Sequence, residues 1–101
     1  MPERVKLIYL PAAVRDLEEI LDYVRGDSME RAAKLLDKLE VEIGRLARFP
    51  RLGVIPSDPH LARKGYRVLI IENYLGFYVV LKNAVRIRRV IHGARRYEFL
   101  L

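Results

Sequence analysis

The second half of the chain contains three strand-like segments that follow one another with only short turns between them. Residues 66–71, 75–81 and 85–92 are rich in β-branched, aromatic and leucine side chains, a composition that favours strands. The turn signals Glu72-Asn73 and Lys82-Asn83 separate these segments. Turns this short join neighbouring antiparallel strands. We therefore predict a three-stranded antiparallel meander.

Two amphipathic helices are predicted ahead of the meander. Pro11 suits the first residue of the first helix, whose apolar residues recur at three- and four-residue spacing, and Gly26 ends it. Asp27 and Glu30 resemble a capping box, so the second helix is expected to begin there and to run to about Arg48. Because so few residues separate the two, we predict a helical hairpin. The polar side of the first helix is expected to carry the acidic residues Asp16, Glu18, Glu19 and Asp22.

The order of elements predicts the fold class. A short strand at residues 5–10 precedes the helices, and residues 49–65, with three prolines and two glycines, are expected to form an ordered loop with little regular structure. The result is a single α+β domain over residues 1–101, in which an N-terminal strand, a helical hairpin and the meander build one sheet. The hairpin is expected to cover one sheet face and to leave the other face for solvent or a ligand.

Composition argues against several classes of protein. The chain has no cysteine and only two histidines, His60 and His92, so neither a disulfide framework nor a zinc site is expected. We expect no metal and no cofactor. No apolar stretch is long enough for a signal peptide or a membrane span. We therefore expect a cytoplasmic protein with no membrane partner.

Positive charge is concentrated in the second half of the chain. Residues 1–44 carry 7 basic and 10 acidic residues, a net charge of −3, whereas residues 45–101 carry 12 and 3, a net charge of +9. Concentrated positive charge attracts polyanions and speeds their encounter. Nucleic acid, an acidic protein and anionic lipid are all possible partners, and lipid is the weakest candidate because the basic half lacks a long amphipathic helix.

The last predicted strand carries the candidate chemistry. Arg86 and Arg88 alternate with apolar residues, and His92 shares their side of the strand if the alternation continues. The adjacent pair of Arg88 and Arg89 interrupts the pattern, so either a bulge shifts its phase or Arg89 lies over the sheet's edge. The start of the first meander strand is expected to add the cations Arg63, Lys64 and Arg67 to the same surface.

These groups suit cleavage of RNA without a metal. His92 can act as acid or base near neutral pH, Tyr97 could relay a proton, and Arg95, Arg67 or Lys64 could hold the phosphate. Each residue also has a structural interpretation: His92 as a strand-end histidine bonded to backbone, Tyr97 as a ring packed on a helix, and the strand arginines as charges that keep an edge strand soluble.

Several sequence pieces occur together in an order that resembles one family. PAAVRDLEEILDYV follows the first strand, RLARFPRLG ends the second helix, GYRVLIIENYLGFYVV covers two meander strands, and RVIHGARRYEFLL closes the chain. In this order, over nearly the whole chain, the sequence resembles the RelE/ParE toxin family of bacterial and archaeal toxin-antitoxin systems. The resemblance implies the fold predicted above and a toxin held inactive by a cognate acidic antitoxin.

The resemblance also implies one of two activities. RelE-like members are ribosome-dependent endoribonucleases that cut mRNA and inhibit translation. ParE-like members share the fold, inhibit DNA gyrase and lack the catalytic residues. Arg95, two residues after Gly93, matches a phosphate-contacting arginine of the nuclease branch, and Arg67 matches a strand arginine there. The nuclease tyrosine tends to lie farther along the chain than Tyr97.

We therefore predict an mRNA interferase that acts on mRNA at the ribosome, with a gyrase inhibitor as the alternative and a nonenzymatic RNA-binding protein as a third hypothesis. The predicted catalytic residues are Arg95, His92, Tyr97 and Arg67. The predicted phosphate-binding residues are Lys64, Arg63, Arg86, Arg88 and Arg96.

Overall fold

A computed structural model describes residues 4–93 and 101 of the protein. The elements follow the predicted order, with one short helix added between the hairpin and the meander. They are β1 (Lys6–Tyr9), α1 (Pro11–Asp27), α2 (Met29–Gly44) with a 3-10 turn (Arg45–Ala47), α3 (Pro59–Arg63), β2 (Tyr66–Ile71), β3 (Tyr74–Val80) and β4 (Ala84–His92).

The four strands form one sheet in the order β1-β4-β3-β2. The two meander pairs are antiparallel, as predicted, and Ile71 pairs with Tyr74 across the two-residue turn. β1 pairs with β4 in parallel. The helical hairpin brings the end of the 3-10 turn back beside the start of β1. There the N–H of Val5 donates to the carbonyl of Ala47 (2.7 Å).

The hairpin packs on one sheet face and forms the main core there. α2 and the turn that follows it bury four apolar side chains that meet alternate residues of β2, β3 and β4, as expected when one face of each strand is covered. We call this side of the sheet the helix side. The buried set comprises Ala13, Leu35, Leu39, Ile43 and Leu46 from the helical layer and Leu69, Ile71, Tyr78, Val85, Ile87 and Val90 from the sheet.

The second sheet face is partly covered, and in this respect the expectation that it is left for solvent or a ligand was wrong. Residues 49–65 contain α3, whose Leu61 is 1 % exposed and packs on this face. Beneath it Tyr66, Val68, Phe77 and Ile91 form a second buried cluster. The prolines and glycines of the loop concealed this helix, which starts at Pro59 and is capped by the Asp58 carboxylate accepting from the N–H of His60 (2.8 Å). We call this side of the sheet the α3 side.

The boundary between α1 and α2 also differs from the prediction. α1 continues through Gly26 to Asp27, and the N-cap of α2 is Ser28, whose hydroxyl accepts from the N–H of Arg31 (3.1 Å). Serine is a preferred N-cap because its side chain satisfies an otherwise unpaired helical N–H. The pattern of Asp27 and Glu30 therefore marked the correct junction but named the cap one residue too early.

β4 contains a bulge, which is one of the two explanations proposed for the interrupted alternation at Arg88 and Arg89. Tyr78 pairs with Ile87 and Phe77 pairs with Arg89, so Arg88 has no cross-strand partner. A bulge adds one residue to a strand and shifts the alternation of its side chains. Ile87 and Val90, three residues apart, accordingly both lie in the helix-side core.

Candidate functional site

Four of the predicted cations lie on the α3 side of the sheet. Arg86 pairs with Val79, whose side chain packs on the α3-side cluster, so Arg86 leaves β4 on that side and is exposed. Arg88 follows Ile87, which is buried on the helix side, and alternation directs Arg88 away from the hairpin as well. Arg63 and Lys64 are exposed at the end of α3. We call these four residues, Arg63, Lys64, Arg86 and Arg88, the basic face.

Arg67 is engaged elsewhere. Its Nε and Nη2 donate to the carbonyl of Gly53 at 3.1 and 2.9 Å, and Nη2 also donates to the carbonyl of Arg51 at 3.1 Å. Arg67 pairs with Tyr78, a member of the helix-side core, so it does not join the α3 side. In this arrangement the Arg67 guanidinium holds the loop at residues 51–53 against β2.

Tyr78 holds the same loop from inside the core. Its hydroxyl accepts from the buried N–H of Gly53 (2.9 Å). A Cβ at Gly53 would come within 2.6 Å of the Val68 carbonyl oxygen and 2.8 Å of the Tyr78 hydroxyl, so glycine is required by close approach. The loop is thus bonded at both the N–H and the C=O of one residue.

His92 lies on the helix side, away from the basic face. Its ring meets that of Tyr74 edge-on, with centroids 5.5 Å apart and planes at 84°. The two rings line a surface pocket with Glu19, Ile20 and Tyr23 of α1. The bulge places His92 here, since without the extra residue the side-chain alternation would have left it beside Arg86 and Arg88.

This pocket disfavours ionisation of the Tyr74 phenol. Burial raises its pKa above the usual 10.0, and the charge of Glu72 and the neighbouring Tyr23 act in the same direction, against a smaller lowering by Arg31. Tyr23 itself is 81 % exposed. The pocket therefore offers a neutral phenol, an imidazole and an exposed aromatic ring, and it lacks the arginines of the basic face.

A buried ion pair fixes the bulge, and the sequence-based expectation missed it. Asp16, which was expected on the polar side of α1, is only 6 % exposed. Its carboxylate accepts from Nε and Nη2 of Arg89 at 2.7 and 2.9 Å and from the N–H of Val90 at 3.0 Å. Hydrogen bonding to the Asp16 carboxylate raises the pKa of Arg89 above its usual value, because it favours the charged guanidinium.

The position of Arg89 also confirms the second alternative, that Arg89 lies over the edge of the sheet. β1 pairs with β4 only as far as Ile87, so beyond that residue no strand of the described segment 4–93 adjoins β4 on that side. Arg89 reaches α1 there. In the sequence, the adjacent pair of Arg88 and Arg89 was the only signal of this contact. Asp16 gave no signal, because it fits the polar pattern of the helix as well as its neighbours do.

Three predicted site residues, Arg95, Arg96 and Tyr97, lie outside the described residues. Leu101 is described, and it packs against the α3-side cluster. Across residues 4–93 and 101, no group of three His, Cys, Asp or Glu side chains is placed to hold a metal ion. In the same part of the chain no helix is long and apolar enough to cross a membrane.

Solved structures of toxin-antitoxin systems share this fold. One, of a chromosomal ParDE system from P. aeruginosa, has a TM-score of 0.73 and 22% sequence identity, and the match covers 88% of this chain and 96% of that chain. Another, of the toxin-antitoxin complex RelBE2 from Mycobacterium tuberculosis, has a TM-score of 0.62 and 25% identity, over 88% of this chain and 98% of that chain. A comparison with curated proteins found no significant match.

The family comparison covers most of the sequence. Residues 7–97 match the family described as ParE toxin of type II toxin-antitoxin system, parDE. The match begins in β1, spans the helical hairpin and the whole sheet, and includes the basic face and His92. The chain therefore belongs to the ParE toxin family of type II toxin-antitoxin systems.

Proposed function

We propose that this toxin inhibits DNA gyrase by binding through its basic face, without acid-base catalysis. The observation that carries the proposal is the separation of His92 from Arg86 by the β4 bulge, which puts the imidazole and the exposed cations on opposite sides of the sheet. Metal-free cleavage of RNA needs a base and an acid within hydrogen-bond reach of the phosphate that the cations hold. A binding surface needs only the cations.

Two further observations support this proposal. Arg67, which the nuclease hypothesis assigned to the phosphate, makes three hydrogen bonds to loop carbonyls. The family that matches the chain is that of ParE toxins, and gyrase inhibition is the activity that the resemblance to ParE-like members implies.

Cleavage of mRNA at the ribosome is the second candidate function. The clustering of Arg63, Lys64, Arg86 and Arg88 on one side favours it, because such a set suits phosphate binding. In this alternative Arg95 and Tyr97 supply the remaining groups, as the sequence predicts, and His92 plays no direct part in cleavage.

A supercoiling assay with purified gyrase and a translating extract together separate the two functions. Under the gyrase proposal, the toxin abolishes supercoiling and leaves mRNA intact in the extract, and His92→Ala behaves as the unmodified toxin. For the double charge reversal R86E/R88E, we expect that at least about tenfold more toxin is needed to reach the same inhibition as the unmodified toxin. The matched control, K34E/K38E, carries the same charge change on exposed lysines of α2 and should leave inhibition unchanged.

Unaltered supercoiling at excess toxin would rule out gyrase as the target. Cut mRNA with ends at codons in the ribosomal A site, lost in Arg95→Ala, would establish the nuclease instead. Binding to RNA with neither effect, and with affinity that falls steeply with salt, would favour the nonenzymatic RNA-binding hypothesis.

An acidic antitoxin is the expected protein partner. Toxins of this family belong to two-component type II systems, and residues 45–101 have a net charge of +9. Co-purification of the toxin with the product of a small acidic neighbouring reading frame, together with loss of toxicity on their co-expression, tests this expectation.

A further inference from the structure

We propose that the outer edge of β2, with the loop at residues 49–55 beside it, binds an extended acidic segment of a protein partner by strand addition. This surface is distinct from the basic face. It combines unfilled backbone hydrogen-bonding positions, exposed apolar side chains and a basic rim.

Within the described part of the chain, the outer edge of β2 is paired at only one residue. Val54 and Val68 exchange two backbone hydrogen bonds, of 2.9 and 2.8 Å, in an isolated antiparallel bridge. Residues two apart in a strand direct their backbone groups to the same side, so the N–H and C=O of Ile70 point to this edge as well. Among the described residues, no backbone group bonds to Ile70 there. An added strand could pair at this position.

The loop blocks pairing toward the start of β2. In the antiparallel register of the bridge, Pro56 is the residue opposite Tyr66, and proline has no N–H to donate. Toward Ile70 the loop instead turns away, because Leu52, the residue opposite Ile70 in this register, donates its N–H to the carbonyl of Phe49 (3.0 Å). The free part of the edge is therefore its Ile70 end, where an incoming chain would extend the ladder that Val54 begins.

Apolar side chains around this edge are unusually exposed for their size. Ile70 is 63 % exposed, Val54 56 %, Ile55 62 % and Phe49 51 %. Exposed apolar edges invite pairing, and proteins commonly protect them with charges or cover them. Leu52, Val54 and Ile70 line one groove beside the end of α2. In strand addition such a groove takes alternate side chains of the bound segment.

The charge of the rim selects an acidic partner. Arg48 and Arg51 border the adjoining apolar patch with Phe49, and Arg45 borders both this patch and the groove. The acidic group on the rim is Glu42, which pairs with Arg45 at 3.2 Å. The three arginines thus leave a net positive rim. A bound segment in which apolar and acidic residues alternate would place its apolar side chains in the groove and its acidic side chains beside the arginines.

The surface is already ordered before a partner binds. The Tyr78 hydroxyl holds the Gly53 N–H, and the guanidinium of Arg67 holds the carbonyls of Gly53 and Arg51. Fixing the loop in advance reduces the conformational cost of binding. This arrangement also gives Arg67 a role in recognition that does not involve phosphate.

A peptide-binding measurement by NMR on the full-length toxin tests the proposal. The probe is a short capped peptide of alternating valine and glutamate, and the readouts are its affinity and hydrogen exchange at the Ile70 amide. We expect saturable binding and slower exchange at Ile70. Replacing the central valine by proline, which removes a backbone donor, and exchanging glutamate for lysine should each weaken binding by at least about tenfold.

Two pairs of toxin variants separate the edge from the rest of the surface. Ile70→Asp should weaken peptide binding by at least about tenfold, whereas Val41→Asp, at a 55 % exposed position on α2, should not. R48E/R51E should abolish the preference for the glutamate peptide, and R15E/R25E on α1 should preserve it. The supercoiling assay with Ile70→Asp should be unchanged, so the test is independent of the basic face.

Any of three results would overturn the proposal. These are equal binding of the lysine peptide, binding without protection of the Ile70 amide, and affinity that Ile70→Asp leaves intact. A second copy of the chain would be identified as the occupant instead if, without peptide, hydrogen exchange at the Ile70 amide slows as the toxin concentration rises.

Discussion

Arg89 of β4 and Asp16 of α1, 73 residues apart in sequence, are joined by two hydrogen bonds of 2.7 and 2.9 Å. The same carboxylate accepts the N–H of Val90, so one side chain of α1 secures both the cation and the backbone that follow the bulge. Because the bulge places His92 on the helix side, this contact helps determine which groups share each sheet face.

We expect Asp16→Ala to lower the free energy of unfolding by about 3–5 kcal/mol, because it leaves the guanidinium of Arg89 partly buried without its counter-charge. The side chain of Arg89 is only 18% exposed. Urea unfolding measures the effect. The control Asp22→Ala breaks the solvent-exposed pair with Arg25 and should change stability by less than about 1 kcal/mol. Equal effects of the two variants would contradict this account of the pair.

The bond between Tyr78 and Gly53 makes a separate prediction. Tyr78→Phe keeps the ring but leaves the buried N–H of Gly53 without an acceptor, which should cost about 1–3 kcal/mol. Hydrogen exchange should become faster at Gly53 and Val54. Tyr23→Phe, at an exposed position, is the matched control. Unchanged exchange at Gly53 in Tyr78→Phe would show that the hydroxyl does not hold the loop.

The cover of the α3 side depends on Leu61. Leu61→Ala should destabilise the protein by about 2–5 kcal/mol, the range for truncating a fully buried leucine, because Leu61 is 1 % exposed on the side of α3 that faces the sheet. Ile55→Ala, in the same loop region but 62 % exposed, should have little effect. Thermal unfolding of the pair gives the comparison, and a stable Leu61→Ala protein would mean that α3 contributes little to the fold.

Tyr9 should make stability fall in alkaline solution. Burial and, to a smaller extent, the charge of Glu40 raise the pKa of Tyr9 above its usual 10.0. Since the folded state keeps this proton longer than the unfolded state, the contribution of Tyr9 is fully present below pH 10.0 and is lost as the pH rises through the folded value. Unfolding curves of Tyr9→Phe should therefore depend less on pH above 10.0 than those of the unmodified protein. Parallel pH profiles would refute the assignment.

Local patterns predicted the meander closely. The structure places β2 at Tyr66–Ile71, as expected, and the other strands within one residue of their predicted ends. The turn of Glu72-Asn73 connects β2 and β3 as proposed. Strand alternation and turn chemistry act over a few residues, so they are visible in the sequence alone.

The arrangement of the candidate site was less predictable. The sequence could suggest that Arg86, Arg88, Arg67 and His92 share a surface, but the structure places only the first two together. Arg67 turns to the loop carbonyls and His92 pairs with Tyr74. Each separation depends on a partner far along the chain, and such partners leave no periodic signal.

Sequence patterns alone predicted the order of the strands and of the two long helices, the antiparallel meander, the basic character of residues 45–101 and the family. Three features became visible only in the folded chain: the burial of Asp16, the packing of α3 on part of the second face, and the separation of His92 from the basic face by the bulge. The two groups of features differ in the range of the interactions that produce them. Periodicity and turn preference are local, whereas the burial of a charge and the phase of a bulged strand are set by contacts across the fold.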